Sequence, residues 1–316
     1  MTMAQSNSTA VLNPENATND LAALPKPPPT HVRAARSLIK QRYPLIALFI
    51  LILVIVLAIF GPSIAPRDPN RQDLFARLLP PLTPDRTGVV NFPLGTDSLG
   101  RDVLSRLIYG ASISLAVGVI AVSIGGTVGT LLGLIAGYFG GPIDDLIMRI
   151  ADVQLAFPFI LLAIMVLVVL GQGVFNLVLI LGVGQWVVYA RVARGQVISQ
   201  REKDYVEALR AIGARDVRIM FTGILPNILA PLIVIASFNV AGVILSEASL
   251  SFLGLGVPPH VPTWGSMLAE SRDQLLGGKW WLAVFPGLAI MMTTLSLNIM
   301  GDWLRDFLDP RLRGSF

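Results

Sequence analysis

Six apolar runs divide this chain, at about residues 44–64, 107–137, 153–171, 174–190, 226–246 and 281–300. Each is near the roughly 20 residues needed to cross a hydrocarbon core of ~30 Å, so the pattern predicts six transmembrane helices. The first, PLIALFILILVIVLAIF, carries no charge, is too long for a signal-peptide core and has no small-residue cleavage site behind it. It reads as a retained anchor. The second exceeds what a span requires and is expected to tilt or to begin as an interfacial helix. A Gly-Gln-Gly turn at 171–173 makes the third and fourth runs a tight hairpin.

Between the fourth and fifth runs the pattern changes. Tyr205, Ala208, Leu209 and Ile212 recur at i, i+3, i+4 and i+7, which predicts a helix of about three turns with one apolar face. Glu207 and Arg210 are expected to pair on another face. Gly213 is the expected stop, because glycine tolerates the left-handed conformation that ends helices. Val217 to Phe221 then lead to Leu225 and Pro226, and proline suits the first turn of the fifth span. An ordered loop of this kind either lies along the membrane face or inserts into a groove on another protein.

Composition agrees with a membrane chain: of 316 residues, 53% are hydrophobic and 14% charged, too few to cover a soluble surface. The expected fold class is an all-α integral membrane protein. Placing the amino terminus in the cytosol puts two thirds of the 24 lysines and arginines inside, the orientation that the positive-inside rule favours. Residues 1–30 are polar, end in LPKPPPT and are expected to be a disordered tail. Residues 31–42 read as a basic juxtamembrane helix. The loop at 66–106 is rich in proline and aspartate.

In the second run, Gly125, Gly129, Gly133 and Gly137 recur every four residues, a smooth stripe that lets another backbone approach closely. It serves packing within the bundle, or a sliding or subunit interface. Ionisable residues in spans are costly and mark function by default. Two candidates for a gate or pathway arise. Asp152 is placed at the cytosolic start of the third span, where Asp145, Arg149 and Asp152 at helical spacings are expected to pair. Glu247 lies in the apolar stretch VILSEASLSFLGLG, and either meets solvent past the end of the fifth span or needs a buried partner. Asn176, Gln185, Asn239 and Asn298 are read as ties between helices.

No phosphate-binding loop is present: the nearest string, GGKW at 277–280, has Trp280 where Ser or Thr is required. No GxSxG elbow, HExxH pair or dinucleotide fingerprint occurs either. With no cysteine and only His31 and His260, thiolate chemistry and histidine-rich metal centres are excluded. Energy for uphill transport must come from an ion gradient or another subunit. A secondary carrier working alone, and a non-transporting membrane scaffold, remain as alternatives.

The 205–226 loop resembles the cytosolic loop of permease subunits of ABC importers, of the form EAA, three residues, G, nine residues, IxLP. Glu207, Ala208, Gly213, Leu225 and Pro226 match it in register, while Leu209 replaces the second alanine and Gly223 the isoleucine. GTDSLGRD (95–102), MRIADVQLAFP (148–158), ASLSFLGLGVPPHVPTWGSML (248–268) and GDWLRDFLDPRLRG (301–314) are similar to the C-type subunit of the dipeptide/oligopeptide/nickel group. The resemblance covers about residues 38–314. It implies a type I importer permease in the bacterial inner membrane, not an enzyme. Its partners would be a homologous second permease, as a heterodimer, two ATPase subunits and an extracytoplasmic binding protein. It implies no cofactor on this chain, with ATP and Mg on the ATPase subunits, and no nucleic acid. Tyr205, Glu207, Ala208, Leu209, Ile212, Gly213, Leu225 and Pro226 would couple to the ATPase. The expected cargo is di- or oligopeptides, with nickel chelates, glutathione or another small solute as alternatives. The expected division is a tail and juxtamembrane segment at 1–37, the first span with its extracytoplasmic loop at 38–106, and the permease core at 107–316 with its coupling loop near 191–225.

Overall fold

A computed structural model describes residues 42–84 and 90–308. The amino-terminal tail, the basic segment up to residue 41 and the DPRLRG stretch at 309–314 lie outside the described residues. Among the described residues, five helices are long and apolar enough to cross a membrane: α1 (Arg42–Ile64), α2 (Val103–Phe139), α5 (Val174–Arg201), α7 (Leu225–Phe252) and α9 (Trp281–Leu308). Between α2 and α5 the chain forms α3 (Gly141–Leu155) and α4 (Phe159–Leu170), bent by 85°. Two shorter helices follow, α6 (Asp204–Ala211) before α7 and α8 (Trp264–Leu275) before α9. A small antiparallel pair, β1 (Thr83–Pro84) and β2 (Val90–Phe92), lies in the loop between α1 and α2.

The third run therefore departs from expectation. The predicted span at 153–171 begins only at Phe159, and the preceding residues end a separate helix. Pro158 is the cause, since its ring disfavours helical geometry at Phe157. Asp152 consequently sits in the last turn of α3, not at the start of a span. With α3 and α4 counted as one broken span, six crossings alternate in direction. The start of α1, the end of α9 and the α5–α7 connection then share one side.

The glycine stripe meets α5. A Cβ on Gly125, Gly129, Gly133 or Gly137 would stand 2.5, 2.2, 2.3 and 2.8 Å from the carbonyl oxygens of Gly182, Trp186, Ala190 and Arg194. Those carbonyls also recur every four residues, so two helical ridges run in register. Side chains are missing where backbone must approach backbone. Gly129→Ala places a methyl group against a carbonyl that cannot swing away. A cost of about 1–3 kcal/mol is expected, read as a lower melting temperature in detergent. Gly126→Ala, whose Cβ would be 3.5 Å from the Tyr189 ring, should be tolerated. Equal melting of both variants would contradict this packing.

Candidate functional site

The α5–α7 connection is built in four steps. Residue 203 ends the turn after α5, and α6 carries Asp204 and Glu207 in its first turn and Arg210 in its last, as the helix dipole favours. Gly213 then takes φ +75°. Its N–H donates to the Arg210 carbonyl at 2.9 Å, and the Ala214 N–H to the Leu209 carbonyl at 3.0 Å. This pair of bonds is the Schellman arrangement that stops a helix at glycine. A single helical turn at Asp216–Arg218 leads into a π-helical turn at Ile219–Ile224, and Pro226 follows at the start of α7.

The apolar stripe of α6 is divided between two surfaces. Val206 is completely buried, and Tyr205 and Leu209 pack against the chain's own core. Glu207, Ala208 and Ala211 face outward, and Ile212 is 79% exposed. Tyr205 and Leu209 thus seat the helix on its own bundle, and Ala208 and Ile212 are left for another surface. No ion pair joins Glu207 to Arg210 among the described residues; Arg210 instead lies over the Tyr138 ring, 5.7 Å from its centroid. Helical spacing permitted that pair, but the aromatic ring at the end of α2 takes the guanidinium.

Two further contacts tie the loop and the end of α5 to the end of α2, and a third ties α6 to α5. The Tyr138 hydroxyl donates to Asp216 Oδ1 at 2.6 Å. Arg201 donates to the carbonyls of Gly137 and Tyr138 at 3.1 and 3.2 Å, satisfying terminal groups of α2 that have no helical partner. Tyr205 donates to Gln200 Oε1 at 3.0 Å. α6 is thus in contact with α2 through Arg210, with α5 through Tyr205 and with the turn before α7 through Leu209.

The two departures from the loop pattern meet each other. A Cβ on Gly223 would stand 3.1 Å from Leu209 Cδ1, so the larger residue at one position fills the space left at the other. Leu209→Ala should leave a void and Gly223→Ile a clash, each lowering stability by about 1–3 kcal/mol. The double variant should recover most of the loss, since contacting residues are non-additive. Additive losses in melting temperature would sink the compensation.

Beside this loop, α5 grips the broken span. Arg194 donates from Nε and Nη2 to the two oxygens of Asp144, both at 2.5 Å, a bidentate geometry that fixes orientation. Asp152 pairs with Arg191, and both are largely exposed, so the pair adds little stability. The expected Asp145–Arg149–Asp152 pairing is not formed. Asp144 and Asp152, eight residues apart, turn toward α5 instead. Gln154 donates to the Gly184 carbonyl at 3.1 Å and accepts from Trp186 Nε1 at 2.7 Å.

Glu247 lies inside α7, which continues to Phe252, and it is fully buried. Its Oε1 accepts from Ser251 Oγ at 2.8 Å and Thr263 Oγ1 at 2.9 Å, while Thr263 caps α8. The reading in which Glu247 meets solvent is thereby overturned, because the helix runs past it and α8 folds back over it. Asn176 closes the α4–α5 hairpin by donating to the carbonyls of Leu170 and Gly171.

At the end opposite α6 stands a charged cluster that sequence reasoning did not assemble. Arg101 donates to Asp97 at 2.6 Å and to Glu270 at 2.6 Å, and Arg106 to Glu270 at 2.9 Å. Asp97 lies 3.7 Å from Arg106, which closes the ring. Burial pushes the Glu270 carboxyl above its ordinary pKa, against the pull of Arg106 and Arg101. Gly100, at φ +73°, lets this loop turn against the Asp73 carbonyl, 1.8 Å from where a Cβ would stand. GTDSLGRD supplied the signal for Asp97 and Arg101. Glu270, 164 residues beyond Arg106, had none.

Comparison with known proteins follows the same lines. Residues 129–314 match the family described as binding-protein-dependent transport system inner membrane component. Residues 32–81 match the N-terminal transmembrane domain of oligopeptide transport permease C. The di/tripeptide transport system permease protein of Pseudomonas aeruginosa is 43% identical over 268 residues, 85% of this chain and 88% of its own. The glutathione transport system permease protein of Escherichia coli O157:H7 is 42% identical over 299 residues, 93% of this chain and 96% of its own. A chain from inward-facing structures of the MetNI methionine ABC transporter superposes with a TM-score of 0.53 at 19% identity. That match covers 65% of this chain and 97% of the other, and shows a shared fold.

Proposed function

This chain belongs to the inner-membrane components of binding-protein-dependent transport systems, as a C-type ABC importer permease, and on that premise we propose that it forms half of an ATP-driven import path for di- and oligopeptides. It is a multi-pass protein of the bacterial inner membrane and a permease subunit, not a catalytic enzyme. A homologous second permease would complete the path, two ATPase subunits carrying ATP and Mg would drive it, and an extracytoplasmic binding protein would deliver cargo. The amino terminus and α6 lie in the cytosol in this reading.

One observation carries the coupling: α6 presents Glu207, Ala208, Ala211 and Ile212 to the outside while Val206, Tyr205 and Leu209 anchor its other face. An exposed aliphatic side chain flanked by alanines and an acid is the form of a short helix that enters a groove. Closure of the ATPase pair would move α6, and the contacts of Arg210 with Tyr138 and of Tyr205 with Gln200 would carry that motion into α2 and α5. The peptide cargo is supported by the name of the Pseudomonas relative; the name of the Escherichia relative makes glutathione the competing cargo.

Reconstitution of the two permeases, the ATPase subunits and the binding protein in liposomes tests this. Uptake of a labelled dipeptide that requires ATP and all components is the expected result, with unlabelled dipeptide competing better than glutathione. Uptake by this chain alone without ATP would contradict it in favour of a secondary carrier.

A further inference from the structure

Between Lys279 and Asp302 the chain carries no charged residue, and α9 fills most of that interval. At 1.5 Å per residue, Trp280 and Asp302 stand about 33 Å apart, near the ~30 Å of a hydrocarbon core. With Asp302 at the cytosolic boundary, Trp280 falls at the outer one. Trp280, Val284, Leu288, Met291 and Leu295 are all exposed and recur at i, i+4, i+8, i+11 and i+15, one face of the helix. Trp280 therefore crowns the apolar stripe of a spanning helix.

The turn before α9 is ordered and apolar. The N–H groups of Gly277 and Gly278 donate to the Gln274 and Leu275 carbonyls at 3.1 and 3.0 Å, with Gly278 at φ +77°. This turn holds Leu276 wholly exposed, next to the exposed Leu275. Trp280 is fixed as well: its carbonyl accepts from the Val284 N–H at 3.0 Å, and its ring meets those of Trp281 and Phe285. Trp281 is buried instead, and its Nε1 donates to the Thr96 carbonyl at 3.2 Å. Lys279, its Nζ 5.6 Å from the Trp281 ring centroid, brings a cation beside them. Leucines and an indole held exposed on an ordered turn mark a contact surface.

We propose that the turn at 275–280 is an interfacial anchor, docked on the phospholipids of the outer leaflet. Leu275 and Leu276 enter the boundary of the acyl chains, the Trp280 indole lies among the polar groups above them, and Lys279 meets a lipid phosphate. Each residue type matches its layer: an indole is apolar in body and polar at its N–H, and a lysine stem reaches from apolar surface to charge. Two observations favour lipid over a protein groove. Trp280 continues the exposed apolar face of a spanning helix without a break, and Lys279 complements the phosphate layer at that height. The anchor holds the outer end of α9 and the last turn of α8, while Thr263 at the other end of α8 bonds Glu247. It does not depend on which cargo is carried.

The chain has no cysteine, so one introduced thiol carries one spin label. Leu276→Cys is labelled in the complete transporter in liposomes, with Arg71→Cys, exposed in the loop between α1 and α2, as the water reference. Power saturation then compares collisions with oxygen, which concentrates in lipid, and with a neutral nickel chelate, which stays in water. The oxygen-to-chelate ratio at position 276 should be several-fold above that at position 71, and adding the binding protein should leave it unchanged. A ratio equal to that at position 71 places the turn in water and overturns the anchor. A label that neither reagent reaches shows burial against the second permease, and a ratio that rises only when the binding protein is added shows contact with that protein. Either result also overturns it.

Discussion

Gly213→Pro is expected to reduce ATP-driven uptake to background while the protein still reaches the membrane. Proline holds φ near −65°, whereas Gly213 stands at +75°. It also removes the N–H that donates to the Arg210 carbonyl at 2.9 Å. The preceding residue, Ile212, is pushed out of helical geometry as well. The local cost is about 3 kcal/mol or more, and an eight-residue helix has no reserve of its own to absorb it. The five spanning helices are untouched. Glu207→Lys should give the same phenotype by another route. Its side chain is exposed, and a cation in the first turn of α6 costs the fold only about 0.3–1 kcal/mol. Loss of uptake would then report a lost contact with the ATPase. In both variants ATP hydrolysis by the partner subunits should continue without transport. Wild-type uptake by either would contradict the coupling role of α6.

Glu270→Ala should prevent accumulation of folded protein. Its carboxylate bridges Arg101 and Arg106, whose side chains are 5% and 1% exposed. Removing it leaves two buried guanidinium groups sharing Asp97 alone. Truncating one partner of a buried ion pair costs about 3–5 kcal/mol, a large share of the ~5–15 kcal/mol that holds a domain together. The loop between α1 and α2 would also lose its grip on α8. Membrane yield and melting in detergent provide the readout, with Glu270→Gln expected to be milder because it still accepts from one arginine. Unchanged melting of Glu270→Ala would show that the ring is not structural.

Legibility in the sequence followed the range of the interaction. α1, α7 and α9 lie where continuous apolar runs put them. Helix ends were read short, because a helix outlasts the hydrocarbon: α5 runs to Arg201 although its apolar run stops near 190. The break in the third span was written in Phe157 and Pro158 but hidden by the apolar residues on both sides. Gly213 was legible because a helix stop is a local event. The division of the α6 stripe was not, since it depends on the core that Val206, Tyr205 and Leu209 meet. Periodicity along α3 suggested Arg149 as the partner of Asp152, whereas the partners of its carboxylates come from α5, about 40 to 50 residues onward. The pairing of Leu209 with Gly223 likewise turned two separate departures from a pattern into one contact.

Because the chain contains no cysteine, a single introduced thiol reports one place unambiguously. Ile212→Cys, labelled with a maleimide photo-cross-linker in the assembled transporter, tests the central claim that α6 is where an ATPase subunit engages this permease. Leu276→Cys, fully exposed at the opposite end, is the control. The account predicts an adduct with the ATPase subunit from position 212 that changes in yield when ATP is added, and none from position 276. No ATPase adduct from position 212, or equal adducts from both positions, would contradict it.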